Sequence, residues 1–218
     1  MLEFILSKMN LLILVMAMVA IIGFFTFGLV DITKVSEAGK LVSKIKETSF
    51  AFASSPSYCF SDAYILPDEI EVAGSSFYYV MRISKRVIEP EDGGPPINVL
   101  IFSMYPRDEM KKAMTEDYEP KAIAASSFRT KAEIHLWSKT YFDSGNGLSY
   151  EGDYEEHMDE DIFIDPQAVT PANAIEFVKE VEDGQPKLYV TVCGTSVLCS
   201  VAKEYVGLEI HPGAGFGC

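Results

Sequence analysis

Hydrophobic positions are distributed very unevenly along this chain. An uncharged run of twenty residues, Leu11–Val30, comes first. Apolar residues then recur every three or four positions, at Ile32, Val35, Ala38, Leu41, Val42 and Ile45. Beyond Ser55, short apolar stretches alternate with turn residues, a pattern typical of β-strands joined by turns. We therefore expect one long helix over residues 1–54 and a β-rich globular head over residues 55–218.

The uncharged run has the length of a membrane span. At about 1.5 Å per residue, Leu11–Val30 covers roughly 30 Å, the thickness of a bilayer's hydrocarbon core. A cleaved signal would have about 7–15 apolar residues between a basic leader and a small-residue cleavage site. Here the run is longer, and the leader balances Lys8 against Glu3. The pattern favours an uncleaved membrane helix, whose candidate membrane or assembly contacts are Leu11, Leu14, Met18, Ile21, Phe25 and Leu29.

The helical pattern continues beyond the uncharged run. Val35 to Val42 and Ile45 to Phe52 are each seven residues apart, which is two helical turns. No proline occurs before Pro56, so we predict one helix from about Phe4 to Ser54, about 75 Å long. Its second half would lie on the head. Its glycines allow either close approach of another helix or a bend; they are Gly23, Gly28 and Gly39.

The head is predicted to contain six strands and one helix. The strands are Tyr58–Leu66, Phe77–Ile88, Ile97–Tyr105, Ala132–Phe142, Lys187–Cys193 and Val197–Ile210. Ile97–Tyr105 is almost continuously apolar, which predicts a central strand. The helix would begin with Thr170 as N-cap and Pro171 at its first position, and end at Gly184. Its apolar side would be formed by Ile175, Phe177, Val178 and Val181.

This order of elements predicts an α+β fold, in which a long N-terminal helix packs on an antiparallel β-sheet head domain of about 160 residues. The glycine-rich tail from His211 to Cys218 is predicted to lack regular structure. No repeats and no low-complexity tract occur in the chain.

Charge excludes one class of function. Of the 218 residues, 32 are acidic and 18 are basic, which gives a formal charge of −14. Such a surface repels phosphate backbones, so we expect no nucleic-acid partner. Hydrophobic residues make up 48% of the chain, and a large share of them lies in the N-terminal segment.

Four cysteines allow three disulfide pairings. Cys193 and Cys199 flank a short predicted turn, where two opposed side chains could be bridged, and Cys59 and Cys218 would then join the two ends of the head. Buried free thiols are the alternative. A zinc site is disfavoured, because the cysteines lack C-x2-C spacing.

Two features bear on membrane orientation, and they disagree. An even number of cysteines in a membrane-tethered domain favours an oxidising, external compartment. The positive-inside rule would instead keep the head in the cytoplasm, because the lysines after the span outnumber the single one before it; they are Lys34, Lys40, Lys44 and Lys46. That rule weakens for large downstream domains, so we favour an external head.

The remaining polar groups suggest no catalytic or cofactor site. Glu151–Asp165 carries eight carboxylates, at 151, 153, 155, 156, 159, 160, 161 and 165. They could bind Ca²⁺, but the D-x-D-x-D-G order is absent and a solvated acidic loop is the simpler interpretation. The three histidines lie far apart in the sequence and are expected to have surface roles; they are His135, His157 and His211. Since no nucleophile, phosphate-loop or dinucleotide motif occurs either, we expect neither an enzyme nor a bound cofactor.

The layout resembles a type IV pilin-like subunit, such as the archaeal pilins and related small archaeal membrane proteins. The resemblance rests on Leu11–Val30, on the stripe Ile32–Ile45, and loosely on Ile65–Ser84. It implies a structural subunit of an extracellular filament, anchored in the membrane before assembly, with copies of itself or other membrane subunits as partners. The alternative is a single-pass anchored ectodomain that binds a ligand or partner within a membrane complex; an anchored enzyme is a third possibility.

Overall fold

A computed structural model describes the chain over residues 2–56, 59–72, 74–90, 93–115, 118–138, 141–143, 147–149, 155–156, 161–168, 173–182 and 184–193. These residues form two helices, α1 (Leu2–Ser54) and α2 (Arg107–Thr115), and thirteen strands. The strands are β1 (Cys59–Ile65), β2 (Ile70–Val72), β3 (Ser75–Phe77), β4 (Tyr79–Ile88), β5 (Ile97–Pro106), β6 (Ala124–Thr130), β7 (Glu133–Ser138), β8 (Tyr141–Asp143), β9 (Gly147–Ser149), β10 (Glu155–Glu156), β11 (Ile162–Ile164), β12 (Ala174–Glu182) and β13 (Gln185–Cys193). The predicted α+β class is confirmed.

The long N-terminal helix is confirmed as a single element. Helix α1 has 53 residues and is about 80 Å long. It ends at Ser54, the predicted residue, two positions before Pro56. The proline has no N–H to continue the helix and disfavours helical geometry in the residue before it.

The strands form two main sheets, and the predicted antiparallel arrangement is confirmed apart from one pair of strands. The first has the order β1-β12-β13-β7-β10 and contains one parallel pair, β13 with β7. The second has the order β11-β4-β5-β6 and is antiparallel throughout. Two small hairpins, β2-β3 and β8-β9, complete the described sheets. β5 lies inside its sheet, as its continuous apolar sequence predicted.

The predicted late helix is a β-strand instead, and this is the main error of the sequence analysis. Residues 174–182 form β12, which pairs with β1 on one side and with β13 on the other. Ile175 and Val178 are β-branched, so they favour a strand over a helix. Gly184 has φ +80° and belongs to the turn that follows Glu182, which pairs with Gln185. The Asp-Gly sequence between those two residues is a strong hairpin signal.

Other predicted elements are confirmed, divided or outside the described residues. β1 and β13 match two predicted strands closely. The predicted strand Phe77–Ile88 is divided between the end of β3 and the whole of β4. The predicted strand Ala132–Phe142 is divided between β7 and the first residues of β8. Helix α2 and strand β6 were not predicted. Thr170, Pro171, the predicted strand Val197–Ile210 and the tail lie outside the described residues.

The second half of α1 closes a single core between the two sheets. It lies against β6 and β5 of one sheet and against β12 and β1 of the other. The ring of Phe52 stacks on Phe177 of β12, with centroids 5.6 Å apart. On the other side, Phe50 meets Phe128 of β6 edge-on at 6.0 Å. The helix therefore belongs to the core of the head and is more than an appendage to it.

We expect the substitution Phe52→Ala to destabilise the head by about 3–4 kcal/mol, because it removes a stacked ring from between the two sheets and leaves a cavity. Urea unfolding of the full chain in detergent would measure the loss. Phe24→Ala is the matched control, since Phe24 is 78% exposed on the same helix. Equal midpoints for the two variants would contradict this account of the core.

Candidate functional site

The first half of α1 presents its apolar side chains outward. The six predicted contact residues are all between 55% and 67% exposed; they are Leu11, Leu14, Met18, Ile21, Phe25 and Leu29. No part of the most apolar stretch is buried against the head. By length and composition, α1 could cross a membrane, and it is the one helix among the described residues that could.

The amount of exposed apolar surface is too large for water. Thirteen large apolar side chains between Leu11 and Leu29 are at least half exposed. If covering each one contributes about 1 kcal/mol, the total is on the order of 13 kcal/mol. A whole domain is stabilised by only about 5–15 kcal/mol. This segment therefore requires a non-aqueous cover, which can be lipid or another protein surface.

Polar contacts begin where the uncharged run ends. Asp31 accepts a hydrogen bond from Lys34 at 3.4 Å, and Glu37 accepts one from Lys40 at 2.6 Å. Both pairs are one helical turn apart and stay within α1, so they support continued helix just beyond the uncharged run. The hydroxyl of Thr33 donates to the carbonyl of Leu29 at 2.7 Å. The helix thus passes from the apolar to the aqueous level without a break.

The docking face of α1, which is the face that packs on the head, begins at Ala38. Five buried residues form it at spacings of four, three, four and three: Ala38, Val42, Ile45, Ser49 and Phe52. Ser49 is the polar member, and its hydroxyl donates to the carbonyl of Ile45 at 2.7 Å. Ile32 and Val35 belong to the predicted stripe but remain 67% and 50% exposed. The prediction that they contact the head is wrong, because the head begins one turn further along.

A lysine from the head donates a hydrogen bond to a backbone carbonyl at the C-terminal end of α1. The last turn of the helix contains no basic residue. The ammonium of Lys179, on β12, donates to the carbonyl of Ser55. As a residue, Lys179 is only 6% exposed. A positive charge is favourable at this end of a helix, where backbone carbonyls lack partners. Sequence reasoning missed this contact, since the two residues are 124 positions apart.

An open groove of about 560 Å³ lies where α1 meets the head. Lys40, Leu41 and Lys44 line it from the helix, and Tyr64 and Ile65 from β1. The ammonium of Lys44 lies 5.9 Å from the centre of the Tyr64 ring, a cation–π distance. Carboxylates also line the groove, so it presents charges of both signs; they are Glu37, Glu69 and Glu71.

Two carboxylates of the acidic segment are paired with arginines. Asp161 accepts from Arg82, whose Nε lies 2.7 Å from the carboxylate. Asp165 is 6% exposed and accepts from Arg107 at 2.9 Å. Both pairs fix the region of β11 against β4 and the start of α2, a structural role. Among the described residues no group of side chains could hold a metal ion.

Of the six other acidic residues in this segment, the structure describes two. Glu155 and Glu156 form β10 at the edge of the five-stranded sheet. The carboxylates at 151, 153, 159 and 160 lie outside the described residues.

Of the three histidines, only His135 is among the described residues, and it has packing contacts. Its ring stacks on Tyr189 of the neighbouring strand at 4.9 Å, and it lies 3.6 Å from a carboxylate oxygen of Glu133. We expected a surface role for His135, but its side chain is only 16% exposed. Tyr189, on the neighbouring strand β13, covers the ring. His157 and His211 lie outside the described residues.

Tyr79, the first residue of β4, is a buried tyrosine with a structural role. Burial raises the pKa of its phenol, which donates to the carbonyl of Pro67 at 2.6 Å. A phenol that stays protonated in this way is a stable hydrogen-bond donor and no base. It holds the segment between β1 and β2 against β4.

Strand register excludes one of the three disulfide pairings. Cys59 pairs with Glu180 near one end of β12, whereas Cys193 pairs with Ala174 at the other end. Six residues of strand separate these positions, or about 20 Å. A disulfide requires Cα atoms within about 7 Å, so Cys59 and Cys193 cannot be bridged. Cys199 and Cys218 lie outside the described residues, and the two other pairings stay open.

The chain matches no known protein-family model, no curated protein sequence and no solved structure. Its function is therefore argued from the geometry of α1 and the head.

The first prediction from this site concerns the end of α1. Lys179→Met keeps the aliphatic volume but removes the charged donor to the Ser55 carbonyl, so we expect it to destabilise the head by about 1–3 kcal/mol. Urea unfolding of the full chain in detergent would measure this. Lys121→Met, at an exposed position, is the control. A loss no greater than that of the control would argue against a role for Lys179 at the helix end.

The second prediction concerns the cysteines. Peptide mapping of the unreduced chain should find no peptide in which Cys59 is linked to Cys193, because the register of β12 holds them apart. If the head is oxidised, each should be linked to Cys199 or Cys218. Alkylation before digestion controls for exchange. A native Cys59–Cys193 bridge would contradict the arrangement of β1, β12 and β13.

Proposed function

We propose that this chain is a structural subunit of a pilus-like filament on the cell surface. Its apolar helix segment, Leu11–Val30, lies in the membrane before assembly and in the filament core afterwards. The single observation that supports this is the division of α1 into two halves. The second half is buried in the core of the head, whereas the first half exposes apolar side chains on every side. Such a segment can exchange lipid contacts for contacts with neighbouring helices.

The way α1 is fixed in the head suits an element that transmits tension. Phe52 stacks on Phe177 of one sheet, Phe50 contacts Phe128 of the other, and Lys179 binds the end of the helix. A pull on the helix is thus distributed over both sheets. The acidic heads, which account for most of the ionisable residues, would form the outer surface of the filament.

A second candidate is a permanently anchored ectodomain that binds a partner within a membrane complex. The groove beside Lys44 and Tyr64 favours this alternative, because it lies where the helix enters the head and offers both charged and apolar contacts. In this case the helix would stay in lipid.

One experiment tests both the membrane role and the filament. In the double variant Met18→Lys/Ile21→Lys, each lysine costs about 2.5–3.5 kcal/mol at the centre of a membrane helix. We expect this variant to leave the carbonate-resistant membrane fraction and to form no filaments. Val87→Lys/Ile88→Lys is the matched control, since both of its positions are exposed on the head and neither lines the groove. It should behave as the unaltered chain.

Electron microscopy of material sheared from expressing cells, with detection of this chain by mass spectrometry, decides between the two candidates. Filaments containing the chain support the first. A chain retained in the membrane without filaments supports the second and overturns the first. An unaltered chain found in the aqueous fraction would overturn both.

A further inference from the structure

The four arginines of the chain divide into two pairs with different surroundings. Arg82 and Arg107 each bind an aspartate, and both contacts are structural. Arg86 and Arg129 are exposed, and neither forms a hydrogen bond or an ion pair within the part of the chain that the structure describes. The chain carries 32 acidic residues, so two guanidinium groups without carboxylates are not explained by a shortage of partners.

Strand register places Arg86 and Arg129 in one row across the antiparallel sheet. Arg86 of β4 pairs with Val99 of β5, and Val99 pairs with Arg129 of β6. Directly paired residues point to the same face of a sheet, and neighbouring strands lie about 4.8 Å apart, so the Cα atoms of the two arginines are separated by about 10 Å. Both long side chains can therefore reach one ligand above Val99.

This row lies on the outer face of the sheet. The next row, which contains Leu100 and Phe128, belongs to the core between the two sheets. Because successive residues of a strand point to opposite faces, the row of Val99 points away from that core. Helix α2 covers the other end of the outer face, where Met110 packs on Val80. That contact is six residues along β4 from the arginine row, or about 20 Å, so it leaves the row open to solvent.

Strand β5 places aliphatic side chains between the two arginines. Its outward residues at this level are Ile97, Val99 and Ile101, which alternate along the strand. Ile97 and Ile101 are half-buried, so part of their surface still meets water. A ligand that pairs with both guanidinium groups lies across this aliphatic line. It gains from covering the line only if it carries apolar groups of its own.

We propose that this arginine face, formed by Arg86, Ile97, Val99, Ile101 and Arg129, binds an extended acidic polypeptide in which carboxylates alternate with apolar side chains. Guanidinium groups match carboxylates with two parallel hydrogen bonds, which gives the contact direction as well as strength. The net charge of −14 repels an acidic partner from other parts of the surface. Charge therefore guides such a partner to this face and fixes its position there.

The position of the arginine face argues against a bilayer as its ligand. Phe128, the residue before Arg129, contacts Phe50 of α1. Phe50 is twenty residues beyond Val30, so it lies about 30 Å along the helix from the end of the uncharged run. Lipid headgroups of a membrane crossed by that run are out of reach. The proposed site belongs to the head alone, so it does not depend on whether the chain forms filaments.

Peptide binding to the full chain in an uncharged detergent tests the proposal, with fluorescence anisotropy as the measurement. The probe is a short labelled peptide in which glutamate alternates with leucine. Arg86→Gln/Arg129→Gln should weaken its binding at least about tenfold, because both charge pairs are lost. Lys111→Gln/Lys112→Gln removes two positive charges from exposed positions on α2 and should bind as the unaltered chain does.

Three results of this comparison would overturn the proposal. They are the absence of binding to the unaltered chain, an unchanged affinity in the arginine variant, and an equal loss of affinity in both variants. Urea unfolding of the same samples checks the fold. Since both arginines are exposed, the midpoint should not change; a clearly lower midpoint in the arginine variant would assign the pair a structural role and overturn the site.

Two further probes test the class of ligand. A peptide of the same length in which serine replaces leucine should bind at least severalfold more weakly, because it cannot cover the aliphatic line of β5. Alginate, a polyuronate without apolar side chains, should displace the leucine peptide poorly. If either probe matches the leucine peptide, the face recognises negative charge alone, and the assignment to a polypeptide is overturned.

Discussion

The structure depends on the burial of one half of a continuous helix in the head's own core. Ala38, Val42, Ile45 and Phe52 fill the space between two sheets that otherwise meet mainly through β7. Without this half of α1, the facing sides of β6 and β12 would be open to water. The same helix carries an apolar half that the head leaves uncovered. Folding of the head and placement of the uncharged segment Leu11–Val30 are therefore consequences of one element.

The helix could be predicted from the sequence because its signals are local. The uncharged run, the absence of proline before Pro56 and the repeat after Ile32 all lie within one segment. The strand β12 was mistaken for a helix because Thr170-Pro171 imitates a helix start and Ile175, Phe177, Val178 and Val181 also fit a helical side. The competing signals were β-branched residues and the Asp183-Gly184 sequence. Burial on both faces between β1 and β13 agrees with the strand.

The contacts that join distant segments could not be predicted, because they depend on the fold. Nothing in the sequence indicates that Lys179 reaches Ser55, or that Asp161 and Asp165 meet Arg82 and Arg107. Two of the eight carboxylates in the acidic segment are thereby assigned to ion pairs that its sequence alone does not indicate. The cysteines are a further case, since the register that excludes a Cys59–Cys193 bridge is set by the pairing of β1, β12 and β13.

The unbroken course of α1 has a mechanical consequence. A helix fixed in the core cannot rotate or tilt by itself, so each turn of the segment Leu11–Val30 about its axis turns the whole head by the same angle. No linker absorbs the motion between Val30 and Ala38, where the helix is continuous. The direction in which the head faces is thus decided by the side on which this segment meets its cover.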